Sequence, residues 1–137
     1  MESLVPTIVL ERQTELRDWL LSVLNQSPYQ VVGIASDMAE FFALKIAVSP
    51  LVLIIVGADD GWERATERIA QIRALRPKFK IIAVAESPGS FDLERCLKSS
   101  ADGCVFSVES RQVFQKCLDL ALQEKIIVVG RGKGIRL

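Results

Sequence analysis

Residues 50–61 read PLVLIIVGADDG, and the run from Leu51 to Val56 is apolar without a polar residue at every second place. A strand with one wet face alternates, so a short unbroken apolar run ending in glycine and aspartate predicts a strand buried on both faces, as in a parallel sheet covered by helices on either side. KIIAVA at 80–85 is of the same kind and is expected beside it at the centre of the sheet. Working outward, TIVL at 7–10, YQVVGIA at 29–35 and GCVF at 103–106 are further β-rich runs, which makes five strands.

The segments between these runs change to a helical period. Leu16, Trp19, Leu20, Val23 and Leu24 fall on one face of a first helix. Ser36 and Asp37 can cap a second, with Ala39, Phe42, Ala43 and Ile46 inward, and Asp59 or Asp60 can cap a third that buries Trp62, Ala65, Ile69 and Ile72. Pro50 and Pro77 stop these two. A fourth helix is expected from about Ser90 to Ser99, carrying Phe91, Leu93, Cys96 and Leu97, and a fifth from about Ser110 to Glu124. Strands alternating with helices over such short connections need right-handed crossovers, so the fold class is α/β: a flavodoxin-like (βα)5 doubly wound parallel sheet, strand order 2-1-3-4-5. In such a sheet ligands bind beyond the carboxyl ends of the strands, where the order reverses between strands 1 and 3.

The totals narrow the function classes. With 137 residues, half of them hydrophobic, the chain supports one core, and 17 basic against 17 acidic residues leave no overall field to draw it to nucleic acid or anionic membrane. Histidine is absent, which removes the usual general base and the commonest metal ligand. Cys96, Cys104 and Cys117 are odd in number, widely spaced and set at apolar positions, so they read as buried inert thiols and not as a zinc or disulfide framework. No apolar run approaches the roughly 20 residues that cross a bilayer, and residues 1–6 lack the features of a signal peptide, so the expected location is cytoplasmic. Residues 1–125 are taken as the domain. Residues 126–137, IIVVGRGKGIRL, are expected to be a tail or the start of a linker, and their glycines lack the following helix and Lys-Ser/Thr pair of a phosphate loop.

VVGIASD at 31–37 and SADGCVF at 100–106 resemble the second and fifth strands of NarL/FixJ-type receiver domains of two-component response regulators, and SPLVLIIV and RPKFKIIAVA resemble the third and fourth. The similarity spans about residues 7–125. It implies a phosphoryl switch: two acidic residues after strand 1 and an acceptor aspartate ending strand 3 hold Mg²⁺, while a Ser/Thr after strand 4 and a Lys after strand 5 bind phosphoryl oxygens. Alignment from Pro50 puts Val56 at the acceptor position, and the acidic pair becomes Glu11 and Arg12. The hydroxyl position falls on Ala85, the lysine position on Ser107 and the aromatic switch position on Cys104. Only Glu11 keeps the family's chemistry. The expectation is a degenerate pseudo-receiver with no catalytic residue, no metal site and no cofactor, whose altered pocket is floored by Val56, Ala85 and Ser107.

Function is then expected to reside in contacts. Phe114, Leu118 and Ala121 suffice for one buried stripe of the fifth helix, so the neighbouring stripe of Val113, Cys117 and Leu120 is expected to face a second copy or a regulatory partner. Folding of Ile126–Val129 back over that stripe is the alternative. The resemblance implies a homodimer, with DNA bound only through a C-terminal domain outside these residues. Two competing readings are a Mg²⁺-dependent phosphoacceptor using Asp59 or Asp60, with Mg²⁺ held by Glu11 and with Glu86 and Ser87 near the lost hydroxyl position, and a nucleotide or flavin module. LERQTE after the first strand lacks the glycine-rich turn that the latter requires.

Overall fold

The computed structural model describes residues 4–45, 51–58, 61–85, 99–106, 111–123, 126–129 and 133–136. The five expected strands are present: β1 (Val5–Leu10), β2 (Tyr29–Ala35), β3 (Leu53–Gly57), β4 (Lys80–Ala85) and β5 (Gly103–Phe106). They pair in parallel in the order 2-1-3-4-5. The helices between them are α1 (Thr14–Leu24), α2 (Met38–Ala43) and α3 (Trp62–Leu75), and the fifth predicted helix is α4 (Arg111–Ala121). The predicted helix near 90–99 lies outside the described residues, apart from Ser99, which is in a bend.

Successive residues of each central strand face opposite layers, which is why the runs do not alternate. Ile8, Leu10, Ile54, Val56, Ile81 and Ala83 join Phe41 of α2 and Ala65, Ile69 and Ile72 of α3. Val9, Leu53, Ile55, Ile82, Val84 and Val105 join Leu16, Leu20 and Val23 of α1 and Phe114 and Leu118 of α4. Trp19 sets its ring edge-on to Phe114 across the second layer, with centroids 5.4 Å apart. α1 stops at Asn25, and Gln26 at φ 59° turns the chain while the Ser27 hydroxyl donates to the Leu24 carbonyl at 2.7 Å.

Three expectations are corrected. In α2, Asp37 caps as expected, its Oδ1 accepting the Glu40 N–H at 2.8 Å, but Met38, Phe41 and Leu44 turn inward. Ala39, Phe42 and Ala43 are exposed, and Ile46 lies outside the described residues. The sequence supports both stripes; the contact that selects one is Leu44 on Gly33, where a Cβ would stand 2.9 Å from Leu44 Cδ1. In α3, the N-cap is Gly61, at φ 118°, in place of Asp59 or Asp60.

The third correction concerns the end of the chain. Ile126–Val129 forms β6, parallel to β5, and Lys133–Arg136 forms β7, antiparallel to β6. The stretch expected to be a tail therefore extends the sheet to seven strands, in the order 2-1-3-4-5-6-7. Val129 pairs with Lys133 across the two strands.

Candidate functional site

The carboxyl ends of β1, β3 and β4 meet where the strand order reverses, and the register sets their residues side by side. Leu10 pairs with Val56, Val56 with Ala83, and Gly57 with Val84. Val56 is 0% exposed and Ala85 1% exposed, both within the aliphatic cluster that also holds Leu10, Ala35 and Ala58. The expected pocket floor is therefore core at these two positions. Ser107, Asp59, Asp60, Glu86 and Ser87 lie outside the described residues, as does Cys96.

Glu11 and Arg12 part company. Arg12 is exposed. Glu11 is only 4% exposed: its N–H donates to the Ala35 carbonyl at 3.0 Å, and its Oε1 accepts the Gln13 N–H at 2.8 Å. The carboxylate thus folds back to the start of α1, whose N-cap Gln13 makes no side-chain cap bond of its own, and a negative group is favoured at that end of a helix. It also lies against the bare Cα of Gly57, where a Cβ would overlap Oε2 and Cδ and stand 3.1 Å from Oε1. Sequence reasoning placed Glu11 among the altered pocket positions, as a cation ligand only in the competing phosphoacceptor reading, and missed this packing; the available signal was Gly57, directly after the β-branched run.

The opposite end of the sheet explains another part of the motif. Asp102 of SADG accepts the Ile81 N–H and an Arg73 N–H at 2.8 Å each through Oδ2, and its Oδ1 stands 3.8 Å from Lys80 Nζ. Arg73 also donates to the carbonyls of Pro77, Phe79 and Ser100 at 3.0, 2.6 and 2.8 Å. One guanidinium therefore ties the end of α3 to the starts of β4 and β5. Asp102 is a clip between strands, remote from the carboxyl edge.

The stripe expected to face a partner is largely internal. Cys117 is 4% exposed, and Val113 and Leu120 are half-buried against the same cluster as Phe114. α4 packs on α1, β5 and β6. Two polar bonds close the seam with α1, Arg111 and Gln115 donating to the Ser22 and Val23 carbonyls at 2.9 and 2.8 Å, and from the start of β2 the Tyr29 hydroxyl donates to Asp119. Burial and that bond push the Tyr29 phenol well above its ordinary pKa, and burial pushes the Cys117 thiol up to about 11. Cys104 is buried too.

Exposed apolar side chains lie elsewhere. Val32 is the extra residue of a bulge where Thr7 pairs with Val31 and Ile8 with Gly33, and with Ile34 it is exposed on the edge strand β2. Phe42, 50% exposed, and Leu75 flank a cleft lined also by Phe41, Leu44 and Arg76. Among the described residues no group of three metal-ligating side chains converges, and no helix is long and apolar enough to cross a membrane.

No protein-family model matches the chain, and no curated protein matches it significantly. Solved structures do match. The isolated REC domain of RcsB from Salmonella enterica serovar Typhimurium, in the presence of the phosphomimetic BeF3⁻, is 19% identical with a TM-score of 0.71, covering 91% of this chain and 94% of that one. Two RcsB dimers bound to two parallel DNAs match at 18% identity and a TM-score of 0.72, over 91% of this chain and 64% of that one. The Salmonella typhimurium RcsB response regulator in another form matches at 19% identity and a TM-score of 0.70. The chain spans 62% of that protein's length. The fold is that of the receiver domain of these response regulators.

Proposed function

We propose that this chain is a phosphorylation-independent, receiver-like signalling domain of a cytoplasmic transcriptional response regulator, acting through protein contacts and not as an enzyme. The observation that carries the proposal is Val56. The position aligned with the acceptor aspartate holds an aliphatic side chain wholly enclosed by other aliphatic side chains, so it offers neither a nucleophilic oxygen nor access for a phosphodonor. The second position of the acidic pair holds the exposed Arg12, whose charge opposes a divalent cation.

Self-association as a homodimer belongs to the same proposal, as does contact with a regulatory protein. The burial of Cys117 favours the exposed apolar residues of β2 and of the α2–α3 cleft over α4 as contact surfaces. DNA would be reached through a separate C-terminal domain, since no recognition helix is legible in these residues. The test is incubation with acetyl phosphate and Mg²⁺, followed by intact mass. No adduct is expected. A Mg²⁺-dependent adduct abolished by Asp59→Ala or Asp60→Ala would overturn the proposal in favour of a displaced acceptor. Light scattering at high micromolar concentration should give twice the 15.2 kDa chain mass, and a monomer would remove the dimer.

A further inference from the structure

We propose that Glu11 is the permanent occupant of the crevice between the carboxyl ends of β1 and β3, filling with its own carboxylate the space that an exchangeable cation or phosphoryl group would need. This deepens the phosphorylation-independent reading and rests on it. In a doubly wound sheet that crevice is open because the strands on its two sides send their connections to opposite faces. Here it is closed from within. Glu11 leaves β1 one residue after the Leu10–Val56 pair, so it stands beside Gly57 of β3. Its carboxylate covers the Gly57 Cα so closely that a single methyl group there would overlap it. Its backbone is tied to the end of β2 through Ala35 and its Oε1 to the start of α1 through Gln13. One residue therefore joins β1, β2, β3 and α1 through its backbone and side chain together, and Glu11 is buried along with Gly57 and Ala58.

The arrangement accounts for two residues together. Gly57 does not have the positive φ that would call for glycine on conformational grounds, so its lack of a side chain is explained by the carboxylate that lies on it. Glu11, in turn, is the one residue retained from the acidic pair, and its burial is that of a packed group. A carboxylate held open to bind Mg²⁺ would keep a wet face for the cation's remaining water ligands.

The experiment is a double-mutant cycle on the full chain, read by urea unfolding, with the wild-type chain titrated in parallel with Mg²⁺ and then beryllofluoride while amide shifts of Gln13, Gly57 and Ala58 are followed. Gly57→Ala alone should lower the folding equilibrium constant by roughly 30-fold or more, the scale of an overpacked core. In a Glu11→Ala background the same change should cost no more than about threefold, a coupling as large as contacting residues give. Glu11→Gln keeps the shape and the acceptor for Gln13, so Gly57→Ala should remain fully damaging there. Wild-type amides should not move with either probe. If Gly57→Ala does not fold, recovery of folding in the double variant carries the same information. Additive losses, or saturable shifts at those amides, would overturn the occupancy. Additive losses without a phosphate adduct would sink this inference alone, whereas an adduct on the wild-type chain would sink the functional proposal beneath it.

Discussion

Restoring a carboxylate at the acceptor position should unfold the protein before it restores a switch. Val56→Asp removes a side chain that is 0% exposed and sits in an aliphatic cluster, at a cost of about 2 kcal/mol in lost transfer free energy. The new carboxyl, enclosed on all sides, should have its pKa raised by about 4 units from roughly 3.9. It must then either ionise while buried or hold a proton that the unfolded chain gives up. At pH 7 the second route costs about 3 units at 1.36 kcal/mol each, or about 4 kcal/mol. The sum, about 6 kcal/mol, is of the order of a whole domain's stability. Because the native pKa is the higher one, the variant is least handicapped below the unfolded pKa and loses stability as pH rises. The difference between variant and wild type in urea unfolding should thus shrink by about 4 kcal/mol between pH 7 and pH 4. A variant within about 1 kcal/mol of wild type at pH 7, or one that takes phosphate from acetyl phosphate, would refute the assignment of Val56 to the core.

Other outcomes follow from bonds at the remaining ends of the sheet. Arg73→Ala should cost about 2–3 kcal/mol in urea unfolding, because it strips a charge-assisted partner from Asp102 and a donor from three carbonyls at once; Arg73→Lys should recover only part, since one ammonium cannot fork between them. Tyr29→Phe should cost about 1–2 kcal/mol by leaving Asp119 without the hydroxyl. With its pKa raised in the folded state, Tyr29 contributes full stability below its unfolded pKa near 10 and loses it as pH climbs further, so its phenolate absorbance should appear together with alkaline unfolding. In a Cys96→Ser background, a disulfide reagent at pH 8 should label neither Cys104 nor Cys117 until the chain unfolds, since both are buried and the Cys117 thiol is pushed up to about 11.

What the sequence determined by itself is whatever local periodicity carries. Unbroken apolar runs at β3 and β4 imply helices on both faces, and the i, i+3, i+4 stripe of α1 implies one buried face; topology rules then leave few orders to choose from. The residue types at 12, 56 and 85 were legible for a different reason, because a residue's chemistry needs no coordinates. Tertiary structure decided everything that depends on a distant partner. Short α2 offers two apolar stripes one residue apart, and only Leu44 against Gly33 selects between them. Ile126–Val129 runs into a glycine-rich stretch and read as a tail because nothing local names its partner, and it became a strand by pairing along β5. On α4, Cys117 is drawn inward, while Val113 and Leu120 of the expected partner stripe are half-buried. Glu11 is the sharpest case. In the sequence it is an acidic residue at a metal position, but the register of β1 against β3 sets it on Gly57, and packing between residues 46 positions apart is invisible to any local pattern.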